Sequence, residues 1–220
     1  MDKIITIRQQ VYNIIKRRIA EGVFKHGQRL QEVDISTELG VSRSPVREAF
    51  KQLEAEGLLI GLPNKGVFVR SFTEKEIADI YDVRMLYERY AIDVFAGDPN
   101  NNIISELNVI LDKTKKLYDE KNYLMEREVN FHYALVENTK NSFVISSHRF
   151  ASTITMSYHD ILFANEQYVK NLDAHIEIIS LLLDGTYKKA EASLRDHLME
   201  SKEIICAGIL KQNQNSDISA

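Results

Sequence analysis

Val41-Ser42-Arg43-Ser44-Pro45-Val46-Arg47-Glu48-Ala49-Phe50 reads as the opening of a helix. Pro45 is tolerated in a first turn, where its missing N–H would have no intrahelical partner. Val46, Phe50 and Leu53 recur at helical spacing and form an apolar face, while Arg43 and Arg47, four apart, project together from the opposite one. Gly57 is the expected stop, so the spacing predicts a helix from Ser44 to Glu56. Upstream, Gly40 separates it from a short helix over Val33–Leu39. A first helix carries the stripe Ile4/Ile7/Val11/Ile14/Ile15/Ile19 and ends near Gly22. Downstream, Leu58–Leu62 and Val67–Arg70 read as two short strands around the turn Pro63-Asn64-Lys65-Gly66.

Helix, short helix, Gly turn, helix and hairpin is the order of a winged helix-turn-helix, whose second helix enters the major groove of DNA. Arg43 and Arg47 would then meet base edges, since Arg suits the O6/N7 pair of guanine. Ser42 and Ser44 cap the helix or donate to phosphate. Lys65 and Gly66, at the hairpin tip, bring a cation and bare backbone to a groove. The plainer reading is a basic surface helix beside an ordinary hairpin, which leaves the whole order of elements to coincidence. Charge agrees with the first reading. Residues 1–70 hold 12 Lys/Arg against 8 Asp/Glu, and residues 71–220 hold 16 against 24, so a basic front precedes an acidic body.

The remaining chain lacks proline after Pro99 and has few glycines, which suits long helices. Helices are expected at about 73–96, 101–119, 122–138, 141–165, 167–183 and 186–209, with a polar, disordered tail over 211–220. The expected architecture is therefore mainly α: a winged helix-turn-helix over 1–72, then an antiparallel bundle of about six helices over 73–210. No apolar run reaches the roughly 20 residues of a membrane span. The first residues lack a signal peptide's apolar core, and Cys206 is the only cysteine, so no internal disulfide is possible. A cytoplasmic location is expected.

Polarity falls in the wrong place on three of these helices. Glu128 and His132 share a stripe with Leu124, Phe131, Leu135 and Val136; His175 lies among Leu172, Ile176 and Ile179; His197 lies beside Leu194 and Leu198. Buried imidazoles and carboxylates are costly unless they are paired or coordinate metal. One carboxylate with three imidazoles suits Zn²⁺, with Ni²⁺ or another divalent transition metal as alternatives. A core of satisfied histidines is the competing reading.

The stretch Gly40–Phe50, with Leu53-Glu54-Ala55-Glu56-Gly57-Leu58 and Pro63-Asn64-Lys65-Gly66, resembles the GntR family of transcription regulators, as do Ile14–Gly22 and Gly27-Gln28-Arg29-Leu30. Ser44 stands where that family often has Thr. The resemblance implies a homodimer on a pseudo-palindromic double-stranded operator, with Arg43, Ser44 and Arg47 at bases or backbone. Glu128-x-x-Phe131-His132, His175 and His197 resemble the metal-binding pattern of the FCD domain in the FadR-type branch of that family, which usually has Asp at the position of Glu128. Arg84 matches a family arginine near the carboxylate ligand. It would orient that carboxylate or receive an effector's carboxylate, unless it simply pairs with Asp82 or Glu88.

A divalent ion balanced by one carboxylate, with Arg84 near, favours a small anion. The expected effector is a metabolite carboxylate, and the expected protein a metabolite-responsive repressor rather than an enzyme. A metal-dependent enzyme with an accessory winged domain remains the runner-up. It lacks a general base once Glu128 is a ligand, and no nucleophile has an activating partner.

Overall fold

The computed structural model describes residues 6–98, 103–121, 130–163 and 165–217. The chain divides into two compact units: residues 1–73 together with Thr153–Ile161, and residues 74–152 together with 162–220.

In the first unit, helix α1 (Ile7–Ala20) and helix α2 (Glu32–Leu39) pack on helix α3 (Arg43–Ala55), which also meets a small sheet. Thr6 caps α1 by accepting from Gln9 N at 3.2 Å. Val11, Ile15 and Ile19 of α1 meet Val46, Ala49, Phe50 and Leu53 of α3 in the core. Burying each large member of that set contributes about 1.5–3 kcal/mol. Gly40 makes the sharp turn between α2 and α3. At φ 65° it is left-handed, and the following Val41 N returns to Ser36 O at 3.0 Å, closing the helix end.

Strands β2 (Leu59–Leu62) and β3 (Gly66–Val69) form the expected hairpin. A two-residue strand, β1 (Arg29–Leu30), pairs antiparallel with β3 through Arg29 opposite Phe68, giving the order β1-β3-β2. The sequence reading placed only a turn at β1. The segment Thr153–Ile161 belongs to this unit through Ser157 and Tyr158. His26 stacks on the Tyr158 ring at 3.9 Å, and its Nδ1 and Nε2 lie 2.7 Å from Arg70 O and 2.9 Å from Ser157 Oγ. The Tyr158 hydroxyl accepts from Phe72 N at 3.0 Å.

The second unit is helical throughout its described residues: α4 (Glu74–Gly97), α5 (Ile103–Asp119), α6 (Phe131–Glu137), α7 (Ser142–Leu162), α8 (Asn165–Leu183) and α9 (Tyr187–Asp217). Helix α7 crosses from one unit into the other along its length. In the core, α4 packs on α9 and α6, α5 on α8 and α6, and α8 on α9. Ile77, Ile92, Phe95, Leu107, Phe131, Leu135, Leu172, Ile179, Leu194 and Leu198 are buried there. The tail expected to be disordered from Lys211 instead continues α9 to Asp217, because neither Gly nor Pro interrupts Leu210–Asp217 and Lys and Gln are good helix formers. No described helix is long and apolar enough to cross a membrane.

Candidate functional site

Two groups of side chains stand out, one in each unit. In the first, Ser42 is the N-cap of α3 by position but makes no capping hydrogen bond with its side chain. Ser42, Arg43, Ser44 and Arg47 are all exposed at the start of the helix, opposite its buried face. Lys65 and Gly66 are exposed at the tip of the β2–β3 hairpin, where Asn64 adopts φ 60° and Gly66 φ 103°. The backbone passes close to Arg29 there, since a Cβ on Gly66 would lie 3.1 Å from the Arg29 Nε. Both arginines of α3 turn onto one carboxylate at the start of α2. Arg47 donates from Nε and Nη2 to the two oxygens of Glu32, each at 2.9 Å, and Arg43 Nη2 reaches the same group at 3.3 Å. Arg47 and Arg43 beside it hold the Glu32 carboxyl below its ordinary range.

In the second unit, His132, His175 and His197 converge. His132 sits in the first turn of α6, fixed by the Asn130 cap, which accepts from Tyr133 N at 3.2 Å. His175 comes from the middle of α8 and packs edge-on against Phe131; His197 comes from α9. All three are buried, at 5%, 6% and 8% exposure. The Nε2 of His175 lies 3.3 Å from that of His132 and 3.2 Å from that of His197, and ligand atoms of all three fall within 4.8 Å. Three nitrogens about 2.0–2.1 Å from one tetrahedral ion would stand roughly 3.3 Å apart. The triad therefore has the spacing of a metal-binding set. Glu128, the fourth expected ligand, lies outside the described residues.

Behind the triad stands a buried carboxylate. Glu88 of α4 is wholly buried; its Oε2 lies 2.5 Å from His132 Nδ1. Its Oε1 accepts from Arg84 Nε at 2.9 Å and Nη2 at 2.8 Å, and from His148 Nε2 at 3.0 Å. Burial would push the Glu88 carboxyl up, but Arg84, His132 and His148 hold it well below the usual carboxylate range. Burial pushes His132 down, with Glu88 opposing. The consistent state is an ionised Glu88 accepting from the Nδ1–H of a neutral His132. That tautomer leaves the His132 Nε2 lone pair aimed at His175, as a metal ligand requires.

Arg84 thus pairs with Glu88 rather than Asp82, which takes Lys202 Nζ at 2.7 Å. Sequence reasoning missed Glu88 as the hub and missed His148 altogether. The signal for His148 was present: it precedes Ser152 by four residues and Thr155 by seven, on one buried stripe of α7. Its Nδ1 is buried with no hydrogen-bond partner among the described residues.

Residues 7–69 match the bacterial regulatory proteins of the gntR family, and residues 79–200 match the FCD domain. The chain is a GntR-family transcriptional regulator of the FCD type. Within that family it is 28% identical over 210 residues to the HTH-type transcriptional regulator YdhC of Bacillus subtilis, covering 93% of this chain and 83% of that one. It is 34% identical over 132 residues to the gluconate operon transcriptional repressor of the same species, covering 59% of this chain and 54% of the repressor. Among solved structures, a GntR transcriptional regulator from Rhodococcus sp. RHA1 superposes with a TM-score of 0.79 at 27% identity, over 91% of this chain and 97% of that one. GntR regulators bind DNA operators and small effector molecules, and the mainly helical architecture with a three-stranded wing is the one expected of this family.

Proposed function

We propose that this regulator is a homodimeric repressor that reads a pseudo-palindromic operator and responds to a small carboxylate bound at a divalent metal. In this reading Arg43 and Arg47 reach base edges, Ser42 and Ser44 meet phosphate or bases, and Lys65 and Gly66 approach the backbone. Support for repression comes from relatives named as repressors of the gluconate and D-xylose utilization operons. Gluconate, after which one of those operons is named, is a carboxylate, as is the class of effector proposed here.

The observation that carries the metal reading is the triad of Nε2 atoms at 3.2 and 3.3 Å, backed by Glu88 on His132 Nδ1. Three imidazoles suit Zn²⁺ or Ni²⁺, and Glu128 completes the set in this proposal. When bound, the ion supplies a positive centre with positions open to an anion. The charges of Arg84 and Glu88 offset one another, so the attraction for a carboxylate comes from the ion less the charge of Glu128. Arg84 then acts chiefly by holding Glu88, and its second expected role, as a direct partner of the effector, is the one a substitution with Lys would test.

Elemental analysis of the purified protein tests the metal. One divalent ion per chain, lost in His175→Ala, is the expected result; a variant that retains it as the parent does would end the reading. A thermal-shift screen of small organic acids, with and without chelator, tests the effector. Stabilisation by an acid that persists unchanged after chelation would separate the effector from the metal.

A further inference from the structure

Glu32 holds both arginines that the proposed reading sends to DNA. It lines an open groove together with Arg29, Arg43, Arg47, Gly66 and Val67, between the start of α3 and the wing. Its contact with Arg47 is bidentate and uses the Nε/Nη2 edge of the guanidinium. What remains for a ligand is the Nη1/Nη2 end. That end carries two parallel donors, the pair that fits guanine O6 and N7. The contact with Arg43 is single and longer, at 3.3 Å, so the second guanidinium keeps most of its donors. The side chains of Arg43 and Arg47 stay more than half exposed, at 59% and 54%, while the Glu32 side chain that holds them is 23% exposed.

We propose that Glu32 is a specificity-determining positioning residue, which clamps Arg47 edge-on so that its free end reads guanine while its own charge discourages indiscriminate phosphate binding. The inference rests on the reading of α3 as the base-contacting helix. Two physical effects act in the same direction. A guanidinium already fixed by a fork-to-fork ion pair loses less rotamer freedom when it meets its base. A carboxylate among three arginines subtracts from the general attraction for a polyanion, which governs binding to any sequence. Exposed pairs of this kind contribute little to folding, so the effect belongs to recognition rather than to stability.

The test uses the full-length protein with two duplex probes: a sequence enriched from a random pool by the wild-type protein, and a scrambled duplex of equal length. Glu32→Gln should raise affinity for the scrambled probe and lower the ratio of the two affinities by about tenfold or more. Its salt dependence on the scrambled probe should steepen by about one unit for each arginine released to phosphate. Glu32→Asp, which withdraws the carboxylate by one methylene, should give an intermediate ratio and serves as the second variant if Glu32→Gln fails to fold. An unchanged ratio and salt slope would overturn the proposal. So would an equal weakening on both probes, which would mark Glu32 as a support of the fold alone. Arg47→Ala is the separate arm for the underlying reading: if it leaves the ratio intact, α3 is not the base-contacting helix, whatever Glu32 does.

Discussion

Glu88 Oε2 lies 2.5 Å from His132 Nδ1, and this contact joins the middle of α4 to the first turn of α6 inside the protein. A carboxylate on the far nitrogen of a metal-ligating imidazole fixes its tautomer and raises its basicity. Glu88 also carries the counter-charge of Arg84, which is 4% exposed.

Glu88→Gln should therefore fail in two ways. Metal affinity should fall by about 10–100-fold through the lost support of His132. Folding should weaken by about 3–5 kcal/mol, because the buried Arg84 guanidinium loses its anion. Metal titration and urea denaturation in the presence of chelator separate the two effects, and a variant that matches the parent in both would remove Glu88 from the account.

His26 makes a pH prediction for the first unit. Burial lowers its pKa from the ordinary value near 6.5, with the Arg70 carbonyl acting in the opposite direction. Folded protein keeps the imidazole neutral at a pH where the unfolded chain binds a proton, so the unfolded state holds more protons. Stability from this residue is complete above pH 6.5 and is lost as pH falls from there toward the lowered folded-state value. His132 contributes with the same sign, so the wild-type slope should be partly, not wholly, abolished in His26→Gln. Denaturant midpoints between pH 7.5 and pH 5.5, a range chosen to bracket about 6.5, provide the comparison; identical slopes in the two proteins would refute it.

Two glycine substitutions should differ in sign. Gly66 adopts φ 103°, and an added Cβ would press on Arg29 at 3.1 Å, so Gly66→Ala should destabilise by about 1–3 kcal/mol. Gly97, in the last turn of α4, has a normal φ and nothing within 4 Å of an added Cβ. Gly97→Ala should be neutral or stabilise by up to about 1 kcal/mol. Thermal melting of the two variants side by side checks both signs.

Tyr158→Phe keeps the ring that His26 stacks upon and removes only the hydroxyl that accepts from Phe72 N at 3.0 Å. A buried donor deprived of its acceptor costs about 1–3 kcal/mol. The loss should appear in the transition of the first unit by urea denaturation; an unaltered midpoint would show that the N–H finds another partner.

The parts of this molecule legible in the sequence were those written in local pattern. Pro45 and Gly57 bracket α3, Val46, Phe50 and Leu53 face its core, and Asn64 and Gly66 supply the hairpin's positive φ angles. The histidines of the triad announced themselves as polar residues on apolar stripes. What the pattern did not carry depends on pairing between distant segments. Strand β1 is two residues long, has no period to detect, and exists because Arg29 finds Phe68. Glu88 looked like the far end of a helical ion pair with Arg84. Its partnership with His132 and His148 joins three helices, which spacing along one helix does not reveal. The end of α9 departs from expectation for a different reason: polar composition reads as disorder, although polarity alone does not end a helix.

Thr153–Ile161 is part of the first unit, although some eighty residues of chain separate it from Thr73. The boundary between the modules is therefore not a place where the gene could simply be cut. A fragment ending at residue 73 would take His26 and Phe72 without the Ser157 and Tyr158 that meet them. A chimera that exchanged only the N-terminal segment would set those groups against a foreign stretch of α7. Modular inheritance in this protein is limited by a few side chains on one helix, and any transplant of its reading head has to carry those side chains along.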